Sequence, residues 1–418
     1  MAAEISKLSN GLRVVTDPMS SVESVAVGVW VAAGTRHETA EVNGISHLLE
    51  HMAFKGTTKR NVQQIAEEMD NVGGQLNAYT SRDHTAYFAK VLKENTGLAV
   101  DILSDILLNS TMDPEELARE QHVVVQEIYQ ADDTPDDIIF DHFQATAFPD
   151  QPMGWPVLGS ENIVRSITSE RLRRYMADNY AADTMVVSAA GNVDHDTFVR
   201  TVESAFAALP ARAKISELPS RYNGGDFRQQ RDLEQVHLVL GFGGVPYGDR
   251  DYYNLNALST LMGEGMSSRL FQEIREKRGL AYSVGSNTQS FSDTGLFSIY
   301  VGTGGDDLPK MIPVLCDEIR KSVDGFTPDE IKRARAQTKA GLLMSMESPS
   351  SRCTQRARQT MIYGRPQTIA EVMEKVEGVN GKGIVDAAQR VFASLPTLAT
   401  LGDLGTLEAF GDIRARLQ

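Results

Sequence analysis

The stretch Asn43–Gly56 reads NGISHLLEHMAFKG, and its centre is His47-Leu48-Leu49-Glu50-His51. Wound as a helix at about 100° per residue, it puts His47, Glu50, His51 and Phe54 on one side. Ile45, Leu48, Leu49 and Met52 fall on the other, so one face is core and the opposite face carries chemistry. Asn43 is the expected N-cap. Two imidazoles one turn apart can share a divalent metal, and a carboxylate beside them can hold or deprotonate a water. The chain has 8 histidines, and three uncommon residues coincide here at metal-site spacing. The alternative is a surface helix with solvated His and Glu, and the rest of the chain must decide.

Outward from this helix the pattern alternates between strands and helices. Ile5–Leu8 and Leu12–Val15 flank a Ser9-Asn10-Gly11 turn, a hairpin signal. Val25–Ala33 (VAVGVWVAA) is a largely buried strand. Asn61–Val72 is a helix ended by Gly73-Gly74. Gln75–Thr80 and Thr85–Val91 read as strands, and Asn95–Leu108 as a third helix. Asp113, Pro114 and Glu116 then supply cap, first-turn proline and capping-box acid for a helix to about Gln130. That helix carries Glu120 and Glu127, seven residues apart and so on one face. Pro135 breaks the acidic run Asp132–Asp141, Thr168–Asn179 is helical, and Met185–Gly191 is a strand.

The second half repeats the first. Val236–Gly244 parallels the strand at Val25, an apolar helix around Asn254–Met262 follows, and Thr294–Gly302 parallels the strand at Thr85. Thr327-Pro328-Asp329-Glu330 repeats the helix start at Asp113. The offset stays near 210–214 residues, which points to a duplicated fold. The chemistry is not duplicated: an offset of 214 carries Glu120 and Glu127 onto Ala334 and Gly341. The expected architecture is α+β, two homologous domains, each an antiparallel sheet with helices packed on it. Boundaries are expected at 1–212 and 227–418, with a Pro- and Gly-bearing linker at 213–226.

Bulk properties narrow the function. With 418 residues, 41% of them hydrophobic and 23% charged, the chain has the composition of a soluble globular protein. No apolar run reaches the roughly 18 residues of a membrane span. The N-terminus lacks a basic region followed by an apolar one, so a cytoplasmic protein without a secretory signal is expected. Cys316 and Cys353 cannot make a disulfide framework. The net charge of −15 argues against nucleic acid and suits a cationic substrate.

Two histidines leave a catalytic zinc short of a third protein ligand. Glu120 and Glu127 follow His51 with 68 and 75 residues between. At this point the chain resembles the inverzincin peptidases, the family of pitrilysin, insulin-degrading enzyme and mitochondrial processing peptidase. The likeness rests on His-x-x-Glu-His followed some seventy residues on by two glutamates separated by six. It extends through GGQLNAYTSRDHTAYF (Gly73–Phe88) and IREKRGLAYSV (Ile274–Val284), and is greatest for the processing-peptidase branch.

The resemblance implies one Zn2+ per chain held by His47, His51 and Glu127, with Glu50 as the general base. It implies that Glu120 orients the site without binding metal; a solvated helix glutamate is the alternative. Asn77 and Ala78 match an edge strand to which substrate adds as a further strand. Arg278 and Tyr282 match a pair that supports the oxyanion from the second domain. Asp137 and Asp141 match acidic positions that receive a substrate arginine, although one is Asp where relatives have Glu; a solvated acidic face is the alternative. The expected activity is zinc-dependent hydrolysis of extended peptides, with a homodimer as the expected form. The rivals are a non-catalytic peptide-binding or structural subunit, and a metal-dependent hydrolase of small molecules. The chain's length and its repeat argue against the latter.

Overall fold

A computed structural model describes residues 3–214 and 218–418. The chain forms two compact units. The first comprises Met1–Tyr129, Trp155–Leu218 and Leu342–Ile369, and the second comprises Gln130–Gly154, Pro219–Gly341 and Ala370–Gln418. Each unit draws two segments from one half of the chain or its middle and one segment from the other half, Leu342–Ile369 in the first unit and Gln130–Gly154 in the second. Within the expected linker, residues 215–217 lie outside the described residues, and Gly225–Gln230 is a strand.

The first unit is built on six strands: β1 (Glu4–Lys7), β2 (Arg13–Pro18), β3 (Ser24–Val31), β4 (Gln75–Thr80), β5 (Thr85–Leu92) and β6 (Met185–Gly191). Their order is β1-β2-β6-β3-β5-β4, which leaves β4 at an edge. Every pairing is antiparallel except β2 with β6. The sheet is thus mixed where uniform antiparallel pairing was expected. The long connection from β2 to β6 provides the crossover that a parallel pair requires. The second unit repeats the plan in five strands: β7 (Gly225–Gln230), β8 (Val236–Gly243), β9 (Ser283–Ser290), β10 (Gly295–Thr303) and β11 (Thr397–Gly402). Their order is β7-β11-β8-β10-β9, and β7 with β11 is the parallel pair.

One face of each sheet carries the main core. In the first unit Val27, Val29 and Tyr87 pack against Leu48, Leu49 and Met52 of the motif helix, Ile45–Ala53. Those three helix side chains are fully buried, each worth roughly 1.5–3 kcal/mol. The helix is thereby fixed by its apolar face, and the His/Glu face is left for other work.

The opposite faces are covered by single helices from the exchanged segments. Pro349–Tyr363 lies on β6, β3 and β2, where Cys353 and Ala357 meet Ala26, Trp30 and Val186. Pro135–Ala147 lies on β11, β8 and β7, where Ile139 and Phe143 meet Val239 and Ala399. Pro135, read from sequence as a breaker, is the first residue of this helix, where its missing N–H costs nothing. Among the described residues, no helix is long and apolar enough to cross a membrane.

Candidate metal centre

The N-terminus of the motif helix departs from expectation. Its N-cap is Gly44 at φ 94°, not Asn43. A Cβ at Gly44 would also meet the carbonyl oxygen of Leu158 at 2.7 Å. The capping carboxylate comes from outside the helix. Glu38 Oε1 accepts from Ser46 N at 2.8 Å, and Oε2 accepts from Gly44 N at 2.8 Å and from Asn43 Nδ2 at 2.9 Å. Asn43 therefore serves Glu38 instead of the helix. Burial pushes the Glu38 carboxyl up to about 7, although its hydrogen bonds from Ser46, Gly44 and Asn43 pull the other way.

A carboxyl raised in the fold contributes stability fully present below its ordinary value near 4.5 and lost as pH rises to about 7. Glu38→Ala is expected to strand buried donors and to lower unfolding free energy by about 2–4 kcal/mol. Glu38→Gln keeps an acceptor, so it should cost less and flatten stability between pH 4.5 and 7. Urea unfolding at pH 5 and pH 8 measures both effects. An alanine variant as stable as wild type would overturn the capping role.

On the other face of the helix, the rings of His47 and His51 meet edge to face, 4.7 Å between centroids. Each Nε2 lies 3.6 Å from the same oxygen of Glu127, Oε2. Glu127 belongs to the helix Pro114–Asp132, whose start is fixed by Asp113 Oδ1 accepting from the amides of Glu115 and Glu116. Among the described residues, His47, His51 and Glu127 are the one group whose ligand atoms converge as a metal site requires, all within 4.8 Å. At 3.6 Å the carboxylate is too far from either ring for a hydrogen bond. It is close to the roughly 3.4 Å that separates ligand atoms around a tetrahedral ion with 2.1 Å bonds. The donor set fits zinc. Burial, assisted by the neighbouring His51, drops His47 to about 3, so its lone pair is free at neutral pH.

The remaining acids play separate parts. Glu120 Oε2 lies 3.0 Å from His51 Nδ1, and Oε1 lies 2.8 Å from Lys55 Nζ. That hydrogen bond favours the tautomer in which His51 Nε2 carries the lone pair facing Glu127. Glu120 is buried and stands behind the imidazole, so the solvated alternative does not hold. Glu50 accepts from Thr80 Oγ1 at 2.6 Å, and burial raises its carboxyl above the ordinary value.

Two partners, Thr80 and Lys55, were missed from sequence. Strand alternation from Ala78 would have placed Thr80 on the motif-helix face. Lys55 is one turn beyond His51, within reach of any acid bound there.

Of the other predicted residues, two belong to the first unit and four to the second. Asn77 and Ala78 are on β4, where Asn77 Oδ1 accepts from the amide of Ala78 at 2.8 Å. Arg278, Tyr282, Asp137 and Asp141 all belong to the second unit. Arg278 Nη1 donates to Glu273 Oε2 at 2.6 Å and to the Glu273 carbonyl at 2.8 Å. Tyr282 is 73% exposed, and the Arg275 guanidinium lies over its ring. Both follow a π-helical turn, Phe271–Glu276, a form over-represented at functional sites. Asp137 is exposed in the first turn of Pro135–Ala147, and Asp141 lies one turn on, half-buried.

A sheet-and-helix fold with a His/His/Glu group beside a free-standing carboxylate defines a candidate metal-dependent hydrolase, and comparison with known proteins gives the family. Residues 13–161 match the family model described as Insulinase (Peptidase family M16), and residues 166–338 match Peptidase M16 inactive domain. An uncharacterized zinc protease of Rickettsia felis is 42% identical over 399 residues, covering 95% of this chain and 97% of its own. One from Bacillus subtilis is 38% identical over 400 residues, covering 95% and 98%.

Among solved structures, a protease from Helicobacter pylori superposes with a TM-score of 0.89 at 24% identity, over 96% of this chain and 99% of that one. A peptidase M16 inactive domain from Pseudomonas fluorescens gives 0.90 at 18%, over 98% and 100%. The chain belongs to peptidase family M16, the pitrilysin and insulinase family.

Proposed function

We propose that this chain is a zinc-dependent endopeptidase acting on extended peptides. His47, His51 and Glu127 bind one zinc per chain, Glu50 is the general base, and Glu120 is a positioning residue. The observation that carries this reading is the convergence of three ligand atoms beside an independent, Thr80-bonded carboxylate. A zinc ion there supplies a Lewis acid toward the scissile carbonyl and acidifies water.

The chain's own residues do the rest. Glu50 takes a proton from the attacking water and delivers it to the leaving amine. Thr80 holds one Glu50 oxygen, leaving the other for that transfer. Glu120 fixes the His51 ring, and a substrate strand adds at the outer edge of β4, where it displaces the Asn77 side chain from the Ala78 amide. Oxyanion support by Arg278 and Tyr282, arginine recognition by Asp137 and Asp141, and pairing into a homodimer are carried by the family resemblance.

Metal removal tests the reading. A chelator should abolish cleavage of an extended, arginine-containing peptide, and one equivalent of zinc should restore it. His47→Ala should bind no stoichiometric zinc by elemental analysis. Zinc bound at one per chain with no cleavage of any peptide would instead leave a non-catalytic peptide-binding subunit.

A further inference from the structure

The two faces of β4 look onto different surroundings. Across the β4–β5 pairing, Gln75 faces Lys90, Asn77 faces Phe88 and Tyr79 faces Ala86, and opposed residues share a face. Thr80, of the alternate set with Ala78, reaches Glu50. The metal motif is therefore on the Ala78–Thr80 face, and Gln75 and Asn77 belong to the other.

On that other face lies a cavity of about 490 Å³, wholly within the first unit, reaching from β3 and β5 to β4 under the helix Pro349–Tyr363. Its floor is apolar: Trp30, Ala26 and Cys353 are buried, and Phe88 is half-buried. Gly28 contributes to its shape. A Cβ there would come within 2.6 Å of the Trp30 ring and 2.9 Å of Phe88 Cβ, so the bare glycine lets both rings lie against the strand. The rim is polar and exposed at Gln75, Asn77 and Ser350, and Asp70 and Lys90 add one exposed charge of each sign.

We propose that this cavity is a specificity subsite that receives a bulky, uncharged apolar side chain of a peptide added as a strand along β4. The proposal rests on the peptidase reading and adds to it a substrate preference. An added strand presents alternate side chains to the two faces of the sheet. Residues of one parity meet the metal side, and residues of the other parity meet Trp30 and Phe88. An aromatic or branched aliphatic side chain matches that floor. A charged one would shed water against that apolar floor, where Trp30, Ala26 and Phe88 offer it no hydrogen-bonding partner.

Binding to the Glu50→Gln protein tests this without requiring turnover. The probes are fluorescein-labelled ten-residue peptides of alanine and serine, with a leucine or tryptophan walked along the sequence and read by anisotropy. Tighter binding by about tenfold is expected at positions of a single parity. Thr354 also lines the cavity, and filling it with Thr354→Trp, or filling the exposed mouth with Ser350→Trp, should erase that gain and leave affinity for the all-alanine/serine peptide within about twofold. Two filling variants are used so that one failing to fold does not end the test.

Equal affinity wherever the apolar residue is placed, a gain spread over both parities, or a gain that survives both folded tryptophan variants would each overturn the subsite. Discriminating binding in a protein whose zinc-loaded wild type cleaves no peptide, the arginine-containing one included, would remove the peptidase reading and leave the subsite standing.

Discussion

Glu50→Gln should retain one zinc per chain and lose hydrolysis by about 10²–10⁴-fold. The reason is positional. Glu50 is not among the three atoms that converge as ligands, so an amide in its place leaves the metal group whole. Glutamine still offers an oxygen to the Thr80 hydroxyl, which bonds Glu50 at 2.6 Å, so the side chain should stay in place and lose nothing but basicity. Wild type should also show an acidic limb above that of an ordinary carboxylate. Burial is the largest cause raising the Glu50 carboxyl, with Thr80 and His51 pulling it down and Glu127 pushing it up.

A base must be deprotonated to act, so activity should rise with pH through that raised value. Thr80→Val removes one of the lowering contacts and should move the limb further up. Elemental analysis with steady-state cleavage across pH 4.5–8.5 reads all three effects. Wild-type turnover in the glutamine variant would remove Glu50 from the mechanism.

The parts of the molecule written locally in the sequence were legible, and the parts written between distant segments were not. The motif helix, the helix start at Asp113 and the strand Met185–Gly191 announce themselves through periodicity, caps and alternation within a few residues. That Glu120 and Glu127 share one helix face follows from the same logic, whereas the choice of Glu127 as the third ligand comes from the family resemblance.

The cap of the motif helix was misread because Asn43 is a good N-cap by type. Glu38 competes for the same amides from a preceding turn, and Gly44 supplies a conformation that no helix pattern encodes. Helix exchange was invisible for a different reason. Amphipathic patterning in Pro135–Ala147 and Pro349–Tyr363 says that one face is buried, but not on which sheet. In the second case a buried arginine settles the matter, and it sets the largest stability effect expected in the first unit.

Arg356 is 4% exposed and Asp17, at the end of β2, is 1% exposed. Arg356 Nε donates to Asp17 Oδ2 at 2.7 Å, while Nη1 donates to the Gln367 carbonyl at 2.7 Å and to Gln359 Oε1 at 3.1 Å. Arg352 reaches the other Asp17 oxygen at 3.1 Å. Both charges are out of water, so each depends on the other for more than a surface pair would give. Arg356→Ala therefore strands a buried carboxylate with one remaining cation and opens a void, and should lower stability by about 3–5 kcal/mol.

Asp17→Ala leaves Arg356 its two remaining acceptors and should cost less. Removing both partners should cost clearly less than the sum, because the second change no longer abandons a charge. Replacing the pair with apolar residues of similar volume, Asp17→Leu with Arg356→Met, should recover much of the loss. Denaturant titration of the four variants closes the cycle. Additive losses would mean that the helix Pro349–Tyr363 is held on β2 by its apolar contacts alone, through Cys353 and Ala357, and that the arginine merely decorates it.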